Sequence, residues 1–194
     1  MPSPSVQAQV EALSAVAKKL SSEGKEAQAL EAYKTASGLM PGAPWLQHRT
    51  AELARKLKQS EAAALHYRRA AAAFIGAGFP KRALGPLRTG WQMCIAFLPG
   101  DPSAFITLAL ELASVQRELG FGADAKLTLT NSNQALRASG SSERVPTAVE
   151  FEVRATRAPA AAESTQSPDS GVKASVPSSS SNGFFSHLQA AVKP

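Results

Sequence analysis

Two stretches of this 194-residue chain decide its fold. They are residues 24–41, GKEAQALEAYKTASGLMP, and residues 58–75, KQSEAAALHYRRAAAAFI. Each stretch places apolar or small side chains three and four positions apart, which is the spacing of one buried helix face. Pro41 ends the first because proline cannot continue a helical hydrogen-bond ladder. Both stretches are therefore predicted to be amphipathic α-helices.

The two stretches carry one pattern at two places in the chain. Three residues recur at a constant displacement along the chain. Ala29 of the first stretch corresponds to Ala63 of the second, Tyr33 to Tyr67, and Ala36 to Ala70. This displacement, about 34 residues, is the period of the tetratricopeptide repeat, and the chain resembles this family over residues 6–138. The family's interhelix glycine, small, aromatic, small and proline positions are occupied in order by Gly24, Ala29, Tyr33, Ala36 and Pro41. The resemblance implies an all-α fold, a right-handed α-solenoid of helical hairpins.

The helical spacing continues beyond these stretches, and nothing up to Ala138 alternates with a period of two. About seven helices are predicted, at residues 6–20, 25–39, 45–57, 61–75, 82–98, 103–119 and 123–137. Lys58 stands where the second unit should have its glycine. Gly78 and Ala83 give a further match too soon after Lys58 for a full repeat period. The helix at 61–75 would therefore have to be the second of one unit and the first of the next.

The composition of the chain changes at Ser139. Residues 1–138 contain 16 Lys and Arg against 10 Asp and Glu, whereas the remainder contains five of each. Residues 155–182 have no aromatic residue, Leu or Ile, so they cannot bury enough apolar surface to repay the entropy of ordering. We therefore predict a repeat domain at 6–138, a disordered Ser, Pro and Ala-rich linker at 139–183 and a terminal motif at 184–194. Within the linker, AVEFEVR at 148–154 alternates like a strand, but it is too short to form one alone. Two interpretations stay open: the segment is disordered, or it adds a strand to the sheet edge of a partner.

The terminal motif is a sudden apolar cluster after a polar linker. On a helix that begins near Asn182, Phe184 and Leu188 share a face, with Phe185 beside them. Such a segment is typical of a docking motif that binds a groove of another protein. Three alternatives remain open: the motif folds back onto the repeat domain, it is simply disordered, or it contacts a membrane surface.

Residue patterns for catalysis, metals and cofactors are missing from the sequence. Cys94 lies in an apolar helix and is predicted to be a buried thiol, and one cysteine cannot form an internal disulfide. His48 and His66 stand alone on helices and are expected at the surface or the core edge. Neither a phosphate-binding loop nor a membrane-spanning run is present. We expect a cytoplasmic protein that is not an enzyme, has no cofactor and inserts into no membrane.

The resemblance implies a binding groove lined by the first helix of each unit. It places Ser14 and Lys18 of the first unit and His48, Arg49 and Glu52 of the second on or near this groove. Arg68 and Arg69 join them if the helix at 61–75 is a groove helix. A row of cations attracts acidic side chains or a carboxylate through charge-assisted hydrogen bonds. The alternative is a solvated basic face that only aids solubility.

A function follows as a hypothesis from these features. A net charge of +6 over seven helices, with few aromatic residues, does not favour nucleic acid. We expect a non-enzymatic adaptor that binds a protein partner, in one version through an acidic peptide segment, and that docks a second site through its tail. Two alternatives are an autoinhibited regulatory module, whose tail occupies its own groove, and a subunit of a larger structural or secretion complex.

Overall fold

The protein is described by a computed structural model, which covers residues 3–95, 98 and 102–157. These residues form eight α-helices and no strand. In chain order the helices are α1 (Pro4–Ser22), α2 (Glu26–Leu39), α3 (Pro44–Lys56), α4 (Ser60–Gly76), α5 (Pro80–Cys94), α6 (Ser103–Glu118), α7 (Gly122–Ala138) and α8 (Ala148–Arg157). Among them, none is long and apolar enough to cross a membrane. The predicted all-α class is confirmed, and α1 to α7 correspond one to one with the seven predicted helices, with differences at their ends.

The starts of three helices differ from the prediction because proline begins them. Pro4, Pro44 and Pro80 occupy the first position of α1, α3 and α5. The first backbone N–H groups of a helix have no intrahelical partner, so proline loses no bond there, and its fixed φ already suits the helix. The spacing of apolar residues alone places these starts at residues 6, 45 and 82. At its other end α5 stops at Cys94, short of the predicted Leu98.

Five helices end in the same type of turn, and each of these turns has one residue in the left-handed backbone region. These residues are Gly24, Lys58, Gly78, Gly120 and Gly140, with φ of 74°, 58°, 81°, 84° and 77°. After the first of them the N–H of Lys25 donates to the carbonyl of Leu20 at 2.9 Å, and after Lys58 the N–H of Gln59 donates to Ala54 at 2.9 Å. This pattern is the Schellman motif, which closes the free carbonyls of a helix end.

Four of these turns are flanked by the same buried side chains. Seven positions before the turn residue stands an alanine no more than 1% exposed: Ala17, Ala51, Ala71 and Ala113. Five positions after it stands another: Ala29, Ala63, Ala83 and Ala125. Nine positions after it stands a large buried residue: Tyr33, Tyr67, Leu87 and Leu129. The hairpins α1–α2, α3–α4, α4–α5 and α6–α7 are thus versions of one unit in which small side chains let the helices approach closely.

Helix α4 belongs to two of these hairpins, as the short interval between Lys58 and Gly78 predicts. It packs against both α3 and α5. Its approach to α5 is close: a Cβ built on Gly90 would lie 3.3 Å from the Cβ of Tyr67 and 3.5 Å from the carbonyl oxygen of Ala64. Tyr67 of α4 joins the core built by α1 to α4, while Ala64 joins the core built by α4 to α8. The shared helix therefore links the two apolar cores.

The segment after α7 corrects two predictions. Residues 148–154 belong to the helix α8 and not to a strand, and the chain is ordered well past the predicted boundary at Ala138. A capping box that sequence reasoning missed begins α8: the N–H of Thr147 donates to the Glu150 carboxylate at 2.7 Å, and the N–H of Glu150 donates to Thr147 Oγ1 at 3.4 Å. Val145 is fully buried, and Phe151 packs on the core. The linker beyond Arg157 and the motif at 184–194 lie outside the described residues.

Candidate binding surfaces

The predicted groove residues do not form one surface. Lys18 is exposed on α1, and Arg49 is exposed on α3 beside the half-buried His48 and Glu52. Ser14, by contrast, is only 5% exposed, and its hydroxyl donates to the carbonyl of Val10 at 2.6 Å. Lys18 and Glu52 are one repeat period apart and so occupy equivalent positions of α1 and α3. We call the set Lys18, His48, Arg49 and Glu52 the first-helix surface.

A hydrogen-bonded cluster occupies the centre of the first-helix surface. The hydroxyl of Tyr67, on α4, donates to Glu52 Oε1 at 2.5 Å, and Arg55 lies 3.4 Å from the other carboxylate oxygen. The ring of His48 meets the Tyr67 ring edge-on, with 5.7 Å between centroids. Tyr67 therefore fills the interior with its ring and holds a surface carboxylate with its hydroxyl. Sequence reasoning assigned the ring to packing and missed the hydroxyl.

The protonation states of Glu52 and Tyr67 do not change near neutral pH. Burial disfavours the charged form of Glu52, but hydrogen bonds from Tyr67 and Arg55 outweigh it and lower the pKa of this carboxyl. Burial, reinforced by the Glu52 carboxylate, raises the pKa of Tyr67 to about 12. Glu52 is thus a carboxylate and Tyr67 a neutral donor. Because Glu52 is already paired, Lys18 and Arg49 are the members of this surface best placed to meet an anion.

Arg68 has a partner within the protein. Its Nε donates to Glu111 Oε1 of α6 at 2.7 Å, and its terminal Nη2 lies 2.7 Å from the same oxygen. The side chain of Glu111 is 3% exposed, against 34% for Arg68. The prediction that Arg68 serves a partner groove missed this ion pair. One sequence signal could have found it: Glu111 is the only charged residue in the mostly apolar run 104–113, AFITLALELA.

Arg69 lines a different part of the molecule. It stands at a cleft of about 710 Å³ between the second helices α2 and α4, away from the first-helix surface. Polar side chains there come from both helices and from the α3 residue beneath them: Lys34, Ser37, Gln47, His66 and Arg69. The remaining lining residues are small or proline, namely Gly38, Pro41, Gly42, Ala72 and Ala73. We call this feature the α2–α4 cleft.

His66 forms the polar floor of this cleft, so of the two places expected for it, the surface and the core edge, it occupies the core edge. The residue is 7% exposed, and its Nδ1 lies 2.9 Å from Gln47 Oε1. Gln47 Nε2 in turn donates to the carbonyls of Ser37 and Pro41 at 3.4 and 3.5 Å. Since an amide oxygen only accepts, Nδ1 carries the proton. Burial, with the charges of Arg69 and Lys34, lowers the pKa of His66 to about 4, so the ring is neutral at pH 7.

Cys94 is fully buried, as its apolar context predicts. Within the described ranges no three His, Cys, Asp or Glu side chains are grouped as a metal site would require. No protein-family model matches the chain, and no curated protein matches it. The resemblance to the tetratricopeptide family stays a prediction, carried by the repeat period in the sequence and by the repeated hairpin geometry.

Proposed function

We propose that the protein is a non-enzymatic adaptor of the tetratricopeptide type, which binds a segment of a protein partner on its first-helix surface. The observation that carries the proposal is the repetition of one hairpin, with equivalent buried alanines around four turns. In a stacked repeat each unit contributes equivalent positions to one continuous surface, and such surfaces suit the binding of extended segments. Lys18 and Glu52, one repeat period apart, are one such pair.

Charge selects the kind of segment. Lys18 and Arg49 are exposed, and Glu52 is engaged by Tyr67 and Arg55. A partner with carboxylates along an extended stretch would gain charge-assisted hydrogen bonds from the two cations. Such contacts fix orientation and speed the encounter more than they raise affinity. We therefore expect the partner to provide an acidic segment that binds reversibly. This partner is either a subunit of the same larger protein complex or a protein outside it.

Photocrosslinking from defined positions tests this proposal. A photoreactive side chain replaces Lys18 in one variant of the full chain, Arg49 in a second and Lys126 of α7 in a third, each in cells that produce the protein naturally. Lys126 is an exposed cation of a second helix and serves as the matched control. We expect one partner to be crosslinked from positions 18 and 49 and not from 126. Equal crosslinking from all three positions, or none from 18 and 49, contradicts the proposal.

Deletion of residues 178–194 tests the second part of the adaptor proposal. The deleted segment contains Phe184, Phe185 and Leu188, which are proposed to dock a second protein. The shortened chain should still be crosslinked to its partner from position 49. It should no longer bind the second protein, which docks on the tail. If deletion instead increases crosslinking from position 49, the tail competes for the first-helix surface, and the protein is an autoinhibited module.

A further inference from the structure

The α2–α4 cleft has the features of a second binding site, on the other set of helices from the first-helix surface. We propose that it accepts an acidic segment of a protein partner, with carboxylates bound by Lys34 and Arg69 and backbone bound on the His66 floor. This site does not depend on the proposed function of the first-helix surface, and the protein could use either one alone.

Two cations line the cleft from opposite helices. Lys34 comes from α2 and Arg69 from α4, and no Asp or Glu is among the lining residues. Both side chains act electrostatically on the same imidazole, since both lower the pKa of His66. Lys34 also contacts Glu31 at 2.8 Å, but the Glu31 side chain is 71% exposed. Solvent weakens such a surface pair, so Lys34 can turn to an incoming carboxylate at little cost.

The floor of the cleft is polar and carries no charge. His66 is neutral, and its Nδ1 is committed to Gln47, so Nε2 is the ring nitrogen left to accept a hydrogen bond. A fully ionised inorganic anion such as sulfate has no proton to donate to such an acceptor. A peptide brings carboxylates for the cations and backbone N–H groups for the imidazole. The combination of donors and acceptor therefore favours a peptide over a simple anion.

The size of the cleft agrees with a peptide. Its volume of about 710 Å³ is several times that of one small anion. Two of its lining residues, Gly38 and Gly42, have no side chain, and a Cβ built on either of them meets nothing within 4 Å. An extended segment can thus come close to the backbone there. With two cations and no Phe, Tyr or Trp in the lining, the cleft lacks the large stacking platforms that nucleic acid sites use.

Binding of a defined probe tests the inference. The probe is a fluorescein-labelled peptide of alternating glutamate and glycine, titrated with the full chain at low ionic strength and followed by fluorescence anisotropy. We expect saturable binding that Arg69→Gln and Lys34→Gln each weaken at least about fivefold, as the loss of one partly exposed charge-assisted hydrogen bond implies. Lys126→Gln removes the same charge from α7, and the affinity of this variant for the probe should stay within about twofold of that of the unmodified protein. Equal weakening by all three variants overturns the site.

Two of the chain's three histidines distinguish the cleft from the first-helix surface. His66 lies in the cleft and His48 on the first-helix surface, so imidazole NMR signals of ¹⁵N-labelled protein report each place separately. The probe should shift the His66 signals and leave those of His48 in place. A shift of His48 alone overturns the cleft inference and leaves the proposed function standing. The absence of both shifts overturns the cleft inference, and photocrosslinking then decides the proposed function on its own.

Competition defines the chemistry of the occupant. Unlabelled peptide should displace the probe, and inorganic sulfate at the same concentration should not. Displacement by sulfate at equal concentration would mean that the cleft is a small-anion site, contrary to the proposal. A single-stranded oligonucleotide that binds more tightly than the peptide, with the same dependence on Arg69 and Lys34, would likewise overturn it.

Discussion

Arg68 of α4 and Glu111 of α6 are joined at 2.7 Å across two helices that are not consecutive in the chain. The carboxylate is almost completely buried, and burial raises the pKa of Glu111, while the guanidinium acts in the opposite direction. A buried carboxylate is tolerated when a cation and hydrogen bonds compensate it. The pair therefore ties the shared helix to the first helix of the last hairpin and fixes the position of one relative to the other.

Loss of Arg68 should strongly destabilise the fold. Arg68→Ala leaves the buried Glu111 without its partner, so the carboxyl must either stay charged at an apolar site or take up a proton, and we expect a loss of about 3–5 kcal/mol in the free energy of unfolding. Arg69→Ala, at the next position and on the exposed side, should change it by less than about 0.5 kcal/mol. Urea denaturation followed by circular dichroism measures both.

Removal of both partners distinguishes the ion pair from simple packing. In Arg68→Met with Glu111→Leu no buried charge is left, so the double variant should recover most of the stability that Arg68→Ala loses. If the double variant is as unstable as Arg68→Ala, packing by the arginine stem, and not its charge, carries the effect.

His66 should make stability depend on acid. Its pKa is about 4 in the folded protein against an ordinary value of 6.5, so the unfolded chain binds a proton more readily. The stabilising contribution is complete above pH 6.5 and is lost as the pH falls from there through about 4. His66→Gln removes this titration and can still donate to Gln47. The difference in unfolding free energy between the unmodified protein and His66→Gln should therefore shrink across this window.

A second substitution checks the cause of this pH dependence. Arg69 is one of the charges that lower the pKa of His66, so Arg69→Gln should raise this pKa toward its ordinary value and make the loss of stability in acid smaller. The free energy of unfolding, measured by urea titration at several pH values, gives both comparisons. Parallel curves for the unmodified protein and His66→Gln would contradict this role of His66.

Lys58 is the one position among the five turns where a side chain occupies the left-handed region. Its φ is 58°, and this conformation costs an L-residue roughly 1–2 kcal/mol. Glycine avoids that cost but loses more entropy on folding, so Lys58→Gly should stabilise the protein by about 0.5–1 kcal/mol. The converse control is Gly120→Ala, where an added Cβ meets nothing within 4 Å and only the backbone strain acts. The thermal unfolding temperature should rise for the first variant and fall for the second.

Asn133 should hold the segment before α8 in place. Its amide donates to the carbonyl of Val145 at 3.1 Å and accepts from the N–H of Val145 at 3.0 Å. Asn133→Ala leaves both backbone groups of a buried residue without this partner, at a cost of about 1–3 kcal/mol. Asn131→Ala, at an exposed position of the same helix, is the matched control. Hydrogen exchange at residues 141–157 should accelerate in the first variant only, and unchanged exchange would show that α8 docks independently of Asn133.

Much of the helical framework could be predicted from spacing alone. Alanines at fixed distances from Gly24, Gly78 and Gly120 identify helix faces, because a helix repeats its direction every three or four positions. The same local rule failed at residues 148–154, where a short alternation was weaker evidence than the Thr147 and Glu150 capping box. Capping is a local feature, so this error could have been avoided from the sequence.

The binding surfaces depend on contacts that no local pattern contains. Tyr67 was predicted as a packing residue, and only the approach of α3 brings its hydroxyl to Glu52. Arg68 and Arg69 are neighbours in the chain, yet successive residues of a helix point about 100° apart. One therefore reaches Glu111 on a distant helix, and the other reaches the α2–α4 cleft.

The sequence by itself determined that residues 6–138 are helical and where seven helices lie, and the short interval between Lys58 and Gly78 pointed to one helix shared by two hairpins. These properties follow from the period of the helix, from helix ends and from the small side chains needed where helices meet. Only the tertiary structure decided which cationic side chains form ion pairs within the protein and which remain exposed to contact a partner. The charge of a side chain is a property of its type, but its availability depends on which distant residue the packing of the helices places beside it.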